Sequence, residues 1–152
     1  VRKFFLPEMN IERCRQCELD GWGICRTEGE CIIDDDFAGL ADKLQRGDAV
    51  VFATPVYYGD LSESIRAFLD RLRRLSKTDE APTVVGKPAV GVCVAGGGGG
   101  GAPRCARSLE QVLHTTGFAA EDMIPVRRQN MEVKREVLQT TGRWLAGLEG
   151  TA

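Results

Sequence analysis

The sequence is poor in the groups that most enzyme chemistry relies on. Histidine occurs once in 152 residues, as His114. It stands alone in a helical stretch and reads as structural. No acid, base or nucleophile stands out from its surroundings. Charge of one sign is also lacking: the net charge is −2, which excludes a compositional argument for nucleic acid or an anionic membrane as partner. No apolar run approaches the roughly 18–20 residues needed to cross a bilayer. No signal-peptide pattern opens the chain, so a cytoplasmic location is the expectation. Internal repeats and a second domain are not evident either. The opening stretch Val1-Arg-Lys-Phe-Phe-Leu6 lacks an initiator Met and reads as a strand from its first residue, closed by Pro7. A piece of a longer chain is the expectation.

What is present describes one ordinary globular domain over residues 1–152, with 43% hydrophobic and 28% charged residues. Cysteine is the unusual component. Cys14, Cys17, Cys25 and Cys31 crowd into one stretch, while Cys93 and Cys105 lie far away. With no export signal, such clustering points to metal or redox chemistry before disulfides. The spacing Cys14-x2-Cys17-x7-Cys25-x5-Cys31 begins like a zinc or iron–sulfur site. Its wide later gaps match no single tight pattern. Free thiols packed in a loop, or a redox disulfide, remain alternatives. Residues 7–35 around them read as an irregular cysteine-bearing insertion. Nearly 30 residues without regular structure call for something that pins them.

Elsewhere strands and helices alternate. Asp34-Asp35-Asp36 reads as helix capping rather than a cation site. Phe37, Leu40, Ala41 and Leu44 follow at helical spacing, and Gly47 ends the helix. Ala49 to Ala53 is an apolar run of the kind buried on both faces of a parallel sheet. Asp60-Leu-Ser-Glu63 resembles a capping box. A helix over about 61–75 follows, with Arg66, Arg71, Arg73, Arg74 and Lys77 read as a solvated face. Residues 76–87 form a polar connection. Pro88 to Ala95 is a second buried strand, in which Cys93 reads as a small core residue. Pro103 suits the first turn of a helix carrying Leu109, Val112, Leu113 and Thr116, and Gly117 stops it. Phe118 to Val126 holds a last strand, and residues 131–148 a terminal helix. This order implies a parallel sheet with helices on both faces.

Two loops lie at the carboxyl ends of buried strands, where open α/β sheets bind ligands. One is Thr54-Pro55-Val56-Tyr57-Tyr58-Gly59, with flat aromatic faces and polar tips. The other is the run Gly96 to Gly101, whose backbone can approach a flat ligand closely. Together they suit a planar heteroaromatic group. The bland alternatives are an aromatic cap on the core and a flexible linker.

Several of these stretches together resemble a known family. Thr54-Pro-Val-Tyr-Tyr-Gly59, Ile65-Arg-Ala-Phe-Leu-Asp-Arg71, Gly86-Lys-Pro88 and the glycine run are similar to NADPH-dependent FMN reductase-like proteins. Cys31-Ile-Ile-Asp-Asp-Asp36, ending the cysteine stretch, is similar to the iron–sulfur flavoprotein branch. The resemblance spans residues 10–145. It implies an α/β, flavodoxin-like doubly wound parallel sheet in three layers, of order 2-1-3-4-5, with FMN at the switch point. By the same resemblance, Val1 to Leu6 corresponds to the second strand, so the first strand and the Ser/Thr-rich phosphate loop are not in this sequence. The ring of FMN would lie between Thr54, Pro55, Val56, Tyr57, Tyr58 and Gly59 on one side and Gly96, Gly97 and Gly98 on the other. Cys14, Cys17, Cys25 and Cys31 would hold a [4Fe-4S] cluster or Zn²⁺. Asp20 stands where the tighter family motif has a third cysteine, and Gly21-Trp22-Gly23 widens the loop.

The activity implied is NAD(P)H oxidation, with electrons passed to a quinone, a flavin or an iron–sulfur acceptor. The proteins implied are homodimers or homotetramers. A flavodoxin-like electron-transfer or binding module without turnover is the alternative.

Overall fold

The computed structural model describes residues 1–75 and 84–148. Residues 76–83 of the expected polar connection, including Lys77, lie outside that range. The helices are α1 (Ile24–Thr27), α2 (Asp36–Arg46), α3 (Glu63–Leu75), α4 (Ala102–Thr116) and α5 (Met131–Gly147). The strands are β1 (Val50–Pro55), β2 (Pro88–Ala95) and β3 (Ala119–Arg127). Among the described residues they form one parallel sheet of order β1-β2-β3. Every connection passes through a helix, as parallel pairing requires.

The sheet is the middle of three layers. On one face Phe52 and Cys93 pack under Phe37 of α2, Phe68 of α3 and Leu109 of α4. On the other, Val90, Val92, Ile124 and Val126 pack against Leu145 of α5. The period of two along each strand sends alternate side chains to these two cores. No helix among the described residues is long and apolar enough to cross a membrane.

Three local expectations are corrected. First, Val1 to Leu6 is not a strand: it runs irregularly into a 3-10 turn at Leu6–Glu8, with Phe5 exposed. A strand exists by pairing, and no described segment pairs with this one. Second, β1 is buried on one face only. Phe52 and Thr54 point inward, whereas Val51 is 53% exposed. Among the described residues β1 lies at the edge of the sheet, and the core on its exposed side is formed by β2, β3 and α5. The third concerns the start of α3. It begins at Glu63, so Asp60 is no cap; its carboxylate accepts instead from the Leu61 N–H (2.8 Å) and from Arg66 (2.9 Å).

Capping by the acidic triplet is as expected at Asp35, whose side chain accepts from the Phe37 N–H at the start of α2. The other carboxylate contacts tie down the cysteine-bearing stretch. Asp36 accepts from the Asn10 N–H and Asp35 from the Glu12 N–H, each at 2.8 Å.

Candidate functional site: a cysteine cleft and a glycine-lined sheet edge

Cys14, Cys17, Cys25 and Cys31 line a single cleft against the end of α3, whose Arg71 and Arg74 form its inner wall. All four are free thiols, and all are at least partly accessible. The loop that carries them is held by bonds to residues distant in sequence. Arg74 donates to the Gly21 carbonyl (2.7 Å) and stacks over the Trp22 ring at 4.6 Å. Arg26 lies over the same ring and pairs with Asp20. Between Cys14 and Cys17, Gln16 takes a left-handed backbone (φ 54°), a conformation costly for a side-chain-bearing residue.

Arg71 is the central contact. The sequence reading placed it on a solvated face, yet it is 2% exposed. Its position shows why: it falls three residues after Phe68 and four before Leu75, inside the apolar stripe of α3. It grips Asp35 with both terminal nitrogens, at 2.6 and 3.0 Å. The same nitrogens donate to the Glu12 carbonyl (3.0 Å) and to Cys31 Sγ (3.3 Å). The guanidinium stacks on Phe37 at 4.1 Å. Burial alone would raise the Asp35 carboxyl. Arg71 and the N–H groups of Glu12 and Phe37 outweigh it and hold the carboxyl below its ordinary value. Burial alone would likewise lower Arg71, but its bonds to Asp35 and Cys31 keep it firmly cationic. One donor is left over: Arg71 Nε is buried and has no partner among the described residues. Leaving such a donor unmet costs about 1–3 kcal/mol.

The donor set is made of thiols. Four thiolates around a single Zn²⁺ stand roughly 3.8 Å apart, given Zn–S bonds of about 2.3 Å. Among the described residues, no three Cys, His, Asp or Glu side chains are grouped closely enough to hold one ion. Thiolates on a cubane cluster each bind a different iron, so they stand farther apart around a shared cavity. Four cysteines lining one cleft, with Cys31 bonded by Arg71, are the kind of thiol set such a cluster uses.

Cys93 and Cys105 are fully buried core residues. Burial, chiefly, pushes both thiols up and keeps them protonated.

The second region lies at the other end of α3. Ser62, just before α3, is nine residues from Arg71, or about 14 Å along a helix. Here β1 ends in a two-residue hairpin. Tyr57 and Asp60 exchange backbone bonds of 3.0 and 2.9 Å, with Tyr58 (φ 53°) and Gly59 (φ 77°) at the tip. Two consecutive left-handed residues make a type I′ turn, which favours Asn-Gly. Tyr in the first position is strained, and its ring stands fully in solvent. Thr54 is turned inward: its hydroxyl accepts from the Ser62 N–H and so supports the loop from behind. Pro55 and Val56 complete the wall, with the Val56 N–H bonded to the Val94 carbonyl at the end of β2.

The glycine run meets this hairpin directly. A Cβ on Gly101 would lie 2.9 Å from Gly59 Cα and 3.0 Å from Val56 Cγ1, so the two loops pack backbone to backbone. A Cβ on Gly96, Gly97 or Gly98 would meet nothing within 4 Å. That backbone faces open space. Gln129 braces it from the end of β3 by donating to the Gly97 carbonyl (3.2 Å). The two loops singled out in the sequence therefore form one surface, and the four cysteines form another. His114 belongs to neither; it is exposed near the end of α4.

With this geometry in place, comparison with known proteins defines the class. The family model of NADPH-dependent FMN reductases matches residues 7–131, and the chain belongs to that family. An iron–sulfur flavoprotein of Archaeoglobus fulgidus is 33% identical over 125 residues, covering 82% of this chain and 58% of that protein. Another from Methanosarcina thermophila is 27% identical over 114 residues, covering 75% of this chain and 56% of the relative. The chain thus spans a little over half the length of these relatives.

Solved structures agree on the fold. The general stress protein 14 of Treponema denticola, in complex with FMN, superposes with TM-score 0.55 at 15% identity over 81% of this chain and 76% of that one. The Trp repressor binding protein of Bacillus subtilis gives 0.51 at 20% identity, over 57% and 59%. The flavodoxin-like α/β fold expected from the sequence is the fold observed.

Proposed function

We propose that this chain carries the ring-binding edge of an FMN-dependent oxidoreductase, with an iron–sulfur cluster in the cysteine cleft. The observation that carries the reading is the Gly59–Gly101 contact, which joins the glycine run to the hairpin bearing two exposed tyrosines at the end of a parallel sheet. The run's backbone leaves room for a flat ring, since a Cβ on Gly96, Gly97 or Gly98 would meet nothing within 4 Å. Bound FMN would supply hydride acceptance and one-electron delivery. The chain's own residues position it. Tyr57, Tyr58, Pro55 and Val56 offer one wall, Gly96 to Gly98 the other, and Thr54 and Gln129 hold the walls in place. Asp60, at the hairpin, is engaged by Arg66 and the Leu61 N–H.

The electron donor in this reading is NADH or NADPH, and the acceptor a quinone, a flavin or the cluster. Cys14, Cys17, Cys25 and Cys31 are the cluster ligands. Homodimer or homotetramer assembly belongs to the same reading, as does a reducing cytoplasm that keeps the thiols free. A flavin titration tests the core of it: FMN added to the protein should lose its fluorescence in a saturable way and remain bound through gel filtration. A folded full-length protein that binds no FMN sinks the reading. The engagement of Asp60, the hairpin's carboxylate, leaves room for a second reading, an electron-transfer module without turnover. Bound FMN with negligible NAD(P)H oxidation in the presence of a quinone would select it.

A further inference from the structure

We infer that Arg71 is a positioning residue for the cluster: it fixes Cys31 as a ligand by an N–H···S bond and makes the cluster easier to reduce. This rests on the cluster reading above.

The guanidinium has five N–H donors in a rigid fork. Four are accounted for. Two go to Asp35, one to the Glu12 carbonyl and one to Cys31 Sγ. The fifth, on Nε, is buried without a partner. Stability alone gives no reason for this arrangement. A buried Arg–carboxylate pair is on average no better than apolar side chains of the same volume, and an orphan donor makes it worse. The N–H···S bond that Arg71 makes to Cys31, a cysteine of the cleft, would give the geometry its purpose. Lysine cannot replace it, because a single ammonium cannot span Asp35, Glu12 and Cys31 at once.

The direction of the effect follows from charge. Reduction brings one electron into the cluster; no bond breaks and no proton moves. The electron comes from reduced flavin in the proposed reading, or from dithionite in a titration. The added negative charge appears beside a buried cation and an N–H donor to a ligand sulfur. The N–H···S bond favours the reduced form, since hydrogen bonds to the sulfurs set such potentials, while the Asp35 carboxylate at 2.6 Å offsets most of the guanidinium's charge. Asp35 holds the guanidinium in place, and Phe37 backs its plane.

The test uses the whole chain, loaded anaerobically with ferrous iron and sulfide. Two variants are compared with the parent. Arg71→Lys keeps the charge and loses the fork. The double variant Asp35→Asn with Arg71→Met removes the ion pair together, so no buried charge is stranded. Potentiometric titration followed by electron paramagnetic resonance reads the reduced fraction. At the parent's midpoint, the ratio of reduced to oxidised cluster should fall about tenfold in the double variant, which is about 59 mV for one electron. Arg71→Lys should fall between the two, and both variants should lose iron to a chelator faster than the parent. Clusters in both variants that titrate within twofold of the parent overturn the inference, as does a shift towards easier reduction. A parent chain that takes up no iron and sulfide, or takes up zinc alone, overturns the cluster reading itself and is told apart by metal analysis before any potential is measured.

Discussion

The two ends of α3 carry sites built on opposite principles. At its start, the sheet edge presents backbone: glycines with nothing before them and a hairpin closed by bonds between residues three apart. At its end, the cysteine cleft presents side chains. Its loop is held by Arg71 and Arg74 through contacts that span 36 to 59 positions in the sequence. The first site is a property of local turns on a rigid sheet. The second exists only while a few long-range polar bonds persist. The difference predicts that they fail separately, and under different insults.

The largest effect should come from cutting the cleft's anchor. Arg71→Ala strands the Asp35 carboxylate among Phe37 and α2 and should cost about 3–5 kcal/mol in urea unfolding. Limited proteolysis should then cut first within residues 7–35. Asp35→Asn with Arg71→Met should recover most of that loss. If the single variant is as stable as the parent, the cleft does not depend on this pair and the contrast with the sheet edge collapses.

Acid offers a milder cut at the same place. Asp35 titrates below its ordinary value in the folded chain. A depressed carboxyl contributes stability that is fully present above its unfolded pKa of about 3.9 and is lost as pH falls through the lower folded value. The fluorescence of Trp22, read in a Trp144→Phe background, should therefore change below about pH 4. Asp35→Asn should remove that transition. A transition that survives in the variant belongs to another group.

At the sheet edge, Gly101→Ala puts a Cβ 2.9 Å from Gly59 Cα and forces the loops apart. A loss of about 1–3 kcal/mol is expected, with FMN affinity down at least about tenfold for 1.4 kcal/mol of lost contact. Iron uptake should be unchanged. Equal damage to both sites would show that they are coupled along α3.

The smallest effect has the opposite sign. Tyr58→Asn relieves the left-handed strain at the hairpin tip and should stabilise the chain by about 1 kcal/mol. The same change should weaken flavin binding, because the exposed ring is removed. A variant that is more stable and binds FMN as well as the parent would mean that the tyrosine is not part of the ring wall.

How much of this was legible varies from residue to residue. The glycine run and Thr54–Gly59 stood out because strand, turn and helix signals are read over a few neighbouring positions, and the loops lie where those signals change. Their direct contact was not legible, since it depends on β1 lying beside β2. Asp35 was read correctly as a helix cap but not as the partner of a buried arginine. Arg71 was misread with the other arginines of α3. Its spacing from Phe68 and Leu75 held the signal, but charge argued for solvent and nothing nearby offered a partner.

By itself, then, the sequence determined the alternation of strands and helices, the glycine loop at a strand end and the clustering of four cysteines. Each is a matter of short-range periodicity, backbone freedom or spacing along the chain. Only the tertiary structure decided that β1 is an edge strand among the described residues, with Val51 exposed, that Gly59 and Gly101 touch, and that Arg71 turns inward to join Asp35, Glu12 and Cys31. Those outcomes depend on which surfaces meet once the chain has folded. A buried charge can be placed only when its partners, 36 to 59 positions away, have been brought to it.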